Sequence, residues 1–157
     1  MRWVDFGSDR RPTVAMTWGD LITAYRSTRI PDIEIYFEAT MAGFMGVTAN
    51  QYFGWMFRSP WAKAWFDAYM STIPEGPSAQ ERERGRGVVV AEAWSNGRRA
   101  GSRITTPEVY TFTGISAVAI VKRVLDDAFV PGFQTPSTFL GPDFVLSLDG
   151  VVREDIA

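Results

Sequence analysis

Residues 88–105 read VVVAEAWSNGRRAGSRIT, and the reading of this stretch decides the fold. Val88 to Trp94 and Arg98 to Thr105 are two strand-like runs on either side of Asn96-Gly97. These two residues accept the positive φ angles that a two-residue hairpin turn demands. An antiparallel hairpin near the middle of the chain therefore anchors the reading, and the rest is placed around it.

N-terminal to it, Arg2 to Phe6 and Thr13 to Met16 read as two strands joined by the turn-rich stretch Gly7 to Pro12. A helix opens at Asp20 and stops before Ile30-Pro31, because a residue preceding proline is pushed away from helical angles. Asp32 to Glu38 alternates, with Ile33, Ile35 and Phe37 on one face and Glu34, Tyr36 and Glu38 on the other, as a half-buried strand does. Between Thr40 and Thr72 the chain is rich in Met, Phe, Trp and Tyr. Ser59-Pro60 starts a helix there, with Trp61, Ala64, Trp65, Ala68 and Tyr69 forming one stripe. Phe53, Trp55, Met56 and Phe57 just before it follow no such period. The block suits a pocket lining, a contact with a second chain, or core.

Pro74 to Ser78 reads as a turn, and Ala79 to Arg84 as a short polar helix. Thr106-Pro107-Glu108 supplies a cap, a first-turn proline and a first-turn acid for a long helix over about 107–128. Its apolar run from Ile115 to Val121 marks it as buried. Pro131 to Gly141 is loop or a helical turn, and Phe144 to Leu148 a last strand. Strands and helices mix without a βαβα rhythm. The expectation is one α+β domain over residues 1–157, with a mixed, mainly antiparallel sheet packed against helices.

Composition narrows the chemistry. The chain has 157 residues, a net charge of −2, no Cys and no His. That excludes disulfides, thiolate nucleophiles, imidazole metal ligands and His-dependent triads. Acid–base work falls to Asp, Glu, Tyr, Lys or an arginine-perturbed group. Lys63 and Lys122 are the only lysines, and the near-neutral balance favours neither nucleic acid nor an anionic membrane. There is no signal peptide and no apolar run of spanning length, so the chain reads as soluble and cytoplasmic.

Two clusters carry candidate chemistry. TWGDLITAYRST, residues 17–28, places Gly19 and Asp20 where a strand becomes a helix. Helix capping accounts for Asp20 at such a position, whereas the hydroxyls of Thr23, Tyr25, Ser27 and Thr28 exceed what capping needs. The face Glu34, Tyr36, Glu38 sets two carboxylates with a phenol between them, at same-face steps of about 7 Å; a carboxylate pair on one face suggests glycosidase-like catalysis, and the pattern is equally that of a wet strand face. Asp20, Glu34, Tyr25, Tyr36 and Glu38 are thus the catalytic candidates. The run Glu81 to Gly87 alternates its charges and reads as a self-paired surface. Gly114-Ile115-Ser116-Ala117-Val118 lacks the second glycine of a nucleophile elbow. No Rossmann fingerprint and no metal-ligand spacing is present.

Several segments, in order, resemble the C-terminal half of the saccharopine dehydrogenase-like oxidoreductases, including their trans-acting enoyl reductase-type members. They are Thr17 to Asp20 with Thr23-Ala24-Tyr25 and Ser27-Thr28; Ile30 to Tyr36; Gly76-Pro77-Ser78 with Arg82 and Gly85; Thr106 to Tyr110; Pro131 to Ser137; and Phe139 to Leu146. In that family a Rossmann domain binds NAD(P), and the following domain shapes the substrate cavity and mediates dimerisation. The resemblance implies a stand-alone substrate-binding and dimerisation domain. Its small-molecule pocket would be walled by Trp18, Gly19, Thr23, Tyr110 and Gln134. No cofactor would be bound by this chain alone; its partners would be a second copy and a separate Rossmann-domain polypeptide. The alternative is a cofactor-independent hydrolase, lyase or isomerase working through the Asp, Glu and Tyr candidates.

Overall fold

The computed structural model describes residues 1–39, 59–72, 76–126 and 130–156. Phe53, Trp55, Met56 and Phe57, part of the Pro74–Ser78 turn, and residues 127–128 of the long helix lie outside these.

The central hairpin forms as read. β4 (Arg86–Ser95) pairs antiparallel with β5 (Arg98–Pro107) over ten residue pairs, from Arg86 opposite Pro107 to Ser95 opposite Arg98. Asn96 at φ 50° and Gly97 at φ 75° make the turn between them. Positive φ at both positions matches the right-handed twist of the flanking strands. The free edge of β5 is taken by β6 (Val152–Ile156), with Ile104 opposite Arg153. A second antiparallel sheet holds β1 (Arg2–Asp5), β2 (Arg10–Ala15) and β3 (Tyr36–Glu38) in that order. The fold is α+β, and the two three-stranded sheets among the described residues are antiparallel throughout.

Five α-helices complete the described chain: α1 (Asp20–Thr28), α2 (Pro60–Met70), α3 (Ala79–Arg84), α4 (Val109–Leu125) and α5 (Pro136–Leu140). Local chemistry explains their ends. Proline opens α2 after Ser59, and Ser78 with Glu81 forms a reciprocal capping box on α3. α1 ends on Arg29 in the left-handed region, whose N–H reaches the Tyr25 carbonyl at 2.8 Å.

Four expectations are revised. Phe144 to Leu148 is not a strand: Phe144–Ser147 is a 3₁₀ helix, closed by bonds such as Leu146 N–H to Asp143 O at 3.0 Å. The edge of β5 that it would have needed belongs to β6. The strand read over Asp32–Glu38 shrinks to Tyr36–Glu38, because β2 ends at Ala15 and the last bond beyond it is Met16 N–H to Ile35 O. β5 runs on through Pro107, so α4 takes Glu108 as its cap. Gly87 allows that junction: a Cβ there would lie 2.6 Å from Thr106 Oγ1 and 3.1 Å from Val109 Cγ1.

The fourth concerns burial. α4 is a 17-residue helix, but none of its residues is buried within the single chain, and the α2 stripe faces outward too, with Trp61 68% and Trp65 66% exposed. Among the described residues the buried apolar side chains are Ala62 and Leu148. Thr13, Thr106, Glu108 and Thr135 are buried as well, and among the described residues no buried side-chain polar atom lacks a partner. Thr13 is fully buried and donates to the Arg2 carbonyl at 2.8 Å. The sheets meet through Arg2, which ion-pairs Glu92 on β4 at 2.5 Å and lies 4.9 Å from the Trp94 ring centre. A Cβ on Gly7, in the β1–β2 turn, would overlap the Arg103 guanidinium of β5.

Candidate functional site

The hydroxyl-rich helix α1 is the place to begin. Gly19, not Asp20, occupies the N-cap position (φ −57°, ψ −25°), and no side chain caps the helix. Asp20 is the first helical residue, where its carboxylate meets the positive end of the helix dipole. The hydroxyls bond backwards along the helix: Thr23 Oγ1 to Asp20 O at 3.1 Å, Ser27 Oγ to Thr23 O at 2.8 Å, Thr28 Oγ1 to Ala24 O at 2.8 Å.

Ser27 does more than that. Its Oγ lies 2.9 Å from Thr135 Oγ1, and Ser137 Oγ reaches it at 3.4 Å. Thr135 is buried and is the N-cap of α5; its Oγ1 accepts the Thr138 N–H at 3.2 Å while Thr138 Oγ1 accepts the Thr135 N–H at 2.8 Å. Thr138 Oγ1 also donates to Gln134 Oε1 at 3.2 Å. Beside this cluster, the Arg26 guanidinium stands 5.8 Å from the Phe133 ring centre. Two segments more than a hundred residues apart thus form one neutral cluster of hydroxyls with an amide and a cation at its margin. It can exchange hydrogen bonds with a polar molecule. The chain has no histidine to activate one of these hydroxyls as a nucleophile.

The carboxylate face resolves differently. Tyr36 Oη donates to Glu34 Oε2 at 2.9 Å, and that bond raises the phenol's pKa above its ordinary value. Glu38 is instead bound by Arg11 at 3.0 Å, a cation that also holds Asp9. Arg11's pKa is raised in turn, chiefly by its bond to Asp9, which pulls the Asp9 carboxyl below its usual value. The structure therefore joins Glu34 to Tyr36 and ties Glu38 elsewhere. Trp18 packs edge-on against Phe37 of β3 with ring centres 5.6 Å apart, which brings the Trp18-Gly19-Asp20 turn beside this strand. Tyr25 is exposed on α1, and Tyr110 is 61% exposed at the start of α4.

Glu108, a first-turn acid by its sequence position, is the N-cap of α4. Its carboxylate accepts the Tyr110 and Thr111 N–H groups at 3.0 and 3.1 Å. Burial raises its pKa, but these bonds, the Thr111 hydroxyl and the Arg82 charge outweigh it, and the net shift is downward.

Sequence reasoning missed a surface groove of about 480 Å³ between α4 (Ile115, Val118, Lys122) and the Leu148–Asp149 loop. None of the sequence-derived candidates lines it. The apolar run of α4 is the available signal, and its composition alone points to core. Among the described residues no group of three or more Asp and Glu is placed to hold a metal ion, and no helix is long and apolar enough to cross a membrane. Comparison of the chain with family models, with curated proteins and with solved structures finds no match.

Proposed function

We propose that this chain is a small-molecule-binding and self-associating domain of the saccharopine dehydrogenase-like kind, in which α1 and the Phe133–Thr138 segment form the polar wall of the site. The observation that carries the reading is the Ser27–Thr135 contact. It unites two of the segments on which the resemblance rests, although 108 positions separate them. Gln134 and Thr23, the polar candidates for substrate binding, lie in the same two segments. A neutral hydroxyl and amide wall suits a hydroxylated or carboxylated metabolite held by hydrogen bonds, with Arg26 available to a carboxylate. The nicotinamide cofactor would be carried by a separate Rossmann-domain polypeptide.

A thermal-shift screen of polyols, hydroxy acids and amino acids, followed by calorimetry, tests this. A compound that binds the native chain and loses about tenfold or more in affinity in Gln134→Ala and Ser137→Ala supports it. Hits that bind both variants as tightly as the native chain end it.

The Tyr36–Glu34 bond favours a second reading, a cofactor-independent hydrolase or isomerase with Glu34 as its acid–base group and Asp20, Tyr25 and Glu38 in support. Glu34→Gln would then abolish turnover of a glycoside or ester panel without unfolding the chain. Equal rates in the variant dispose of it.

A further inference from the structure

α4 has two apolar sides. Phe112, Ile115, Ala119 and Ile120 are half-buried, and the helix packs against β5. On the other side Tyr110, Gly114, Ala117, Val118, Val121 and Leu125 are all exposed. At 100° per residue these six fall in one continuous, uncharged stripe; Lys122 and Arg123 lie outside it. We infer that this stripe is a homodimer interface, in which α4 of one copy packs antiparallel on α4 of a second copy about a two-fold axis. The inference deepens the self-association proposed above and rests on it.

The partner is identified by the order of sizes along the stripe. In an antiparallel pair centred at Ala117–Val118, Tyr110 faces Leu125, Gly114 faces Val121 and Ala117 faces Val118, and the symmetry repeats each pair. Large residues meet at the ends and a small residue receives a larger one in the middle, so the stripe is complementary to itself, as an isologous interface must be. A parallel pair would set Gly114 on Gly114 and Val121 on Val121, leaving a gap beside a crowded contact, and would align the two helix dipoles unfavourably. With Val124 the stripe exposes on the order of 600 Å², approaching the roughly 800 Å² that each side of a stable interface buries. The groove beside Val118 runs from this stripe to the Leu148–Asp149 loop, with Lys122 and Asp149 as its charged lining.

Light scattering on the full chain should give the mass of two copies at micromolar concentration. Val121→Glu, which sets a carboxylate against Gly114 of the copy, should weaken association by about 100-fold or more with an unchanged far-ultraviolet dichroism spectrum. Because the chain has no native Cys, single-cysteine variants read the register directly. Ala117→Cys, beside the axis, should cross-link between copies through a short bis-maleimide, while Tyr110→Cys and the exposed Val89→Cys should not. A monomer overturns self-association and this interface together. A dimer that Val121→Glu leaves intact and Ala117→Cys does not cross-link overturns the α4 interface alone, and cross-linking through Tyr110→Cys overturns the antiparallel order. Should Val121→Glu fail to fold, the cysteine variants decide the matter.

Discussion

The hydroxyls of Ser27 and Thr135 lie 2.9 Å apart and join the C-terminal half of α1 to the cap of α5. Thr135 is 5% exposed, so its hydroxyl depends on protein partners rather than on water. Thr135→Val should destabilise the chain by about 1–2 kcal/mol, since it removes a helix cap and the Ser27 contact together. Ser27→Ala should cost less, about 0.5–1 kcal/mol, because Thr135 keeps Ser137 and Thr138. Urea titrations of the two single variants and the double variant check this: coupling between the sites appears as a double-variant loss smaller than the two single losses combined.

The ion pair between Arg2 and Glu92 joins the two sheets, and Arg99 binds the same carboxylate from β5. Glu92's side chain is only 18% exposed. Glu92→Gln should therefore destabilise more than Arg2→Ala, because the former leaves two guanidiniums facing a neutral amide, while the latter leaves Glu92 with Arg99. Arg2→Ala should cost about 1 kcal/mol and lose part of that difference in high salt. Thermal melts at low and high ionic strength make the comparison.

The turn at Asn96-Gly97 isolates a backbone effect. A Cβ at Gly97 meets nothing within 4 Å, so Gly97→Ala adds no clash, only the strain of φ 75°. The expected loss is about 1 kcal/mol in chemical denaturation. Asn96→Gly, at φ 50°, should be close to neutral.

Acid should weaken α4 at its N-terminus. Glu108's pKa is depressed in the folded chain, so its contribution is fully present above the ordinary glutamate value of about 4.3 and is lost as pH falls through the lower folded value. Helicity followed by circular dichroism from pH 6 down to pH 2 should fall in that acid window. Glu108→Gln should flatten the α4 component of the loss while lowering stability at pH 7.

Much of the fold was legible because it rests on local physics. Asn96-Gly97 sets the hairpin through dihedral preference, proline ends α1 and opens α2, and Ser78 with Glu81 closes a capping box within one turn. Each of these signals acts over a few residues and survives whatever surrounds it. Of the candidate site, the sequence marks Thr23 and Gln134 singly and Glu34 with Tyr36 as a face, but no sequence pattern joins Ser27 to Thr135 or diverts Glu38 to Arg11.

The sequence by itself determined that the protein is α+β, that its central strands form a tight hairpin, and that no histidine or cysteine chemistry operates in it. Only the tertiary structure decided which apolar segment becomes the last strand, where the hydroxyls of α1 find partners, and which side of α4 is left uncovered. Phe144–Leu148 and Val152–Ile156 both carry apolar residues, and β5 has one free edge to offer, so pairing chose between them. An apolar helix reads as buried from its composition alone. Whether a sheet, a loop or a second copy covers each of its faces depends on contacts that lie far away along the chain.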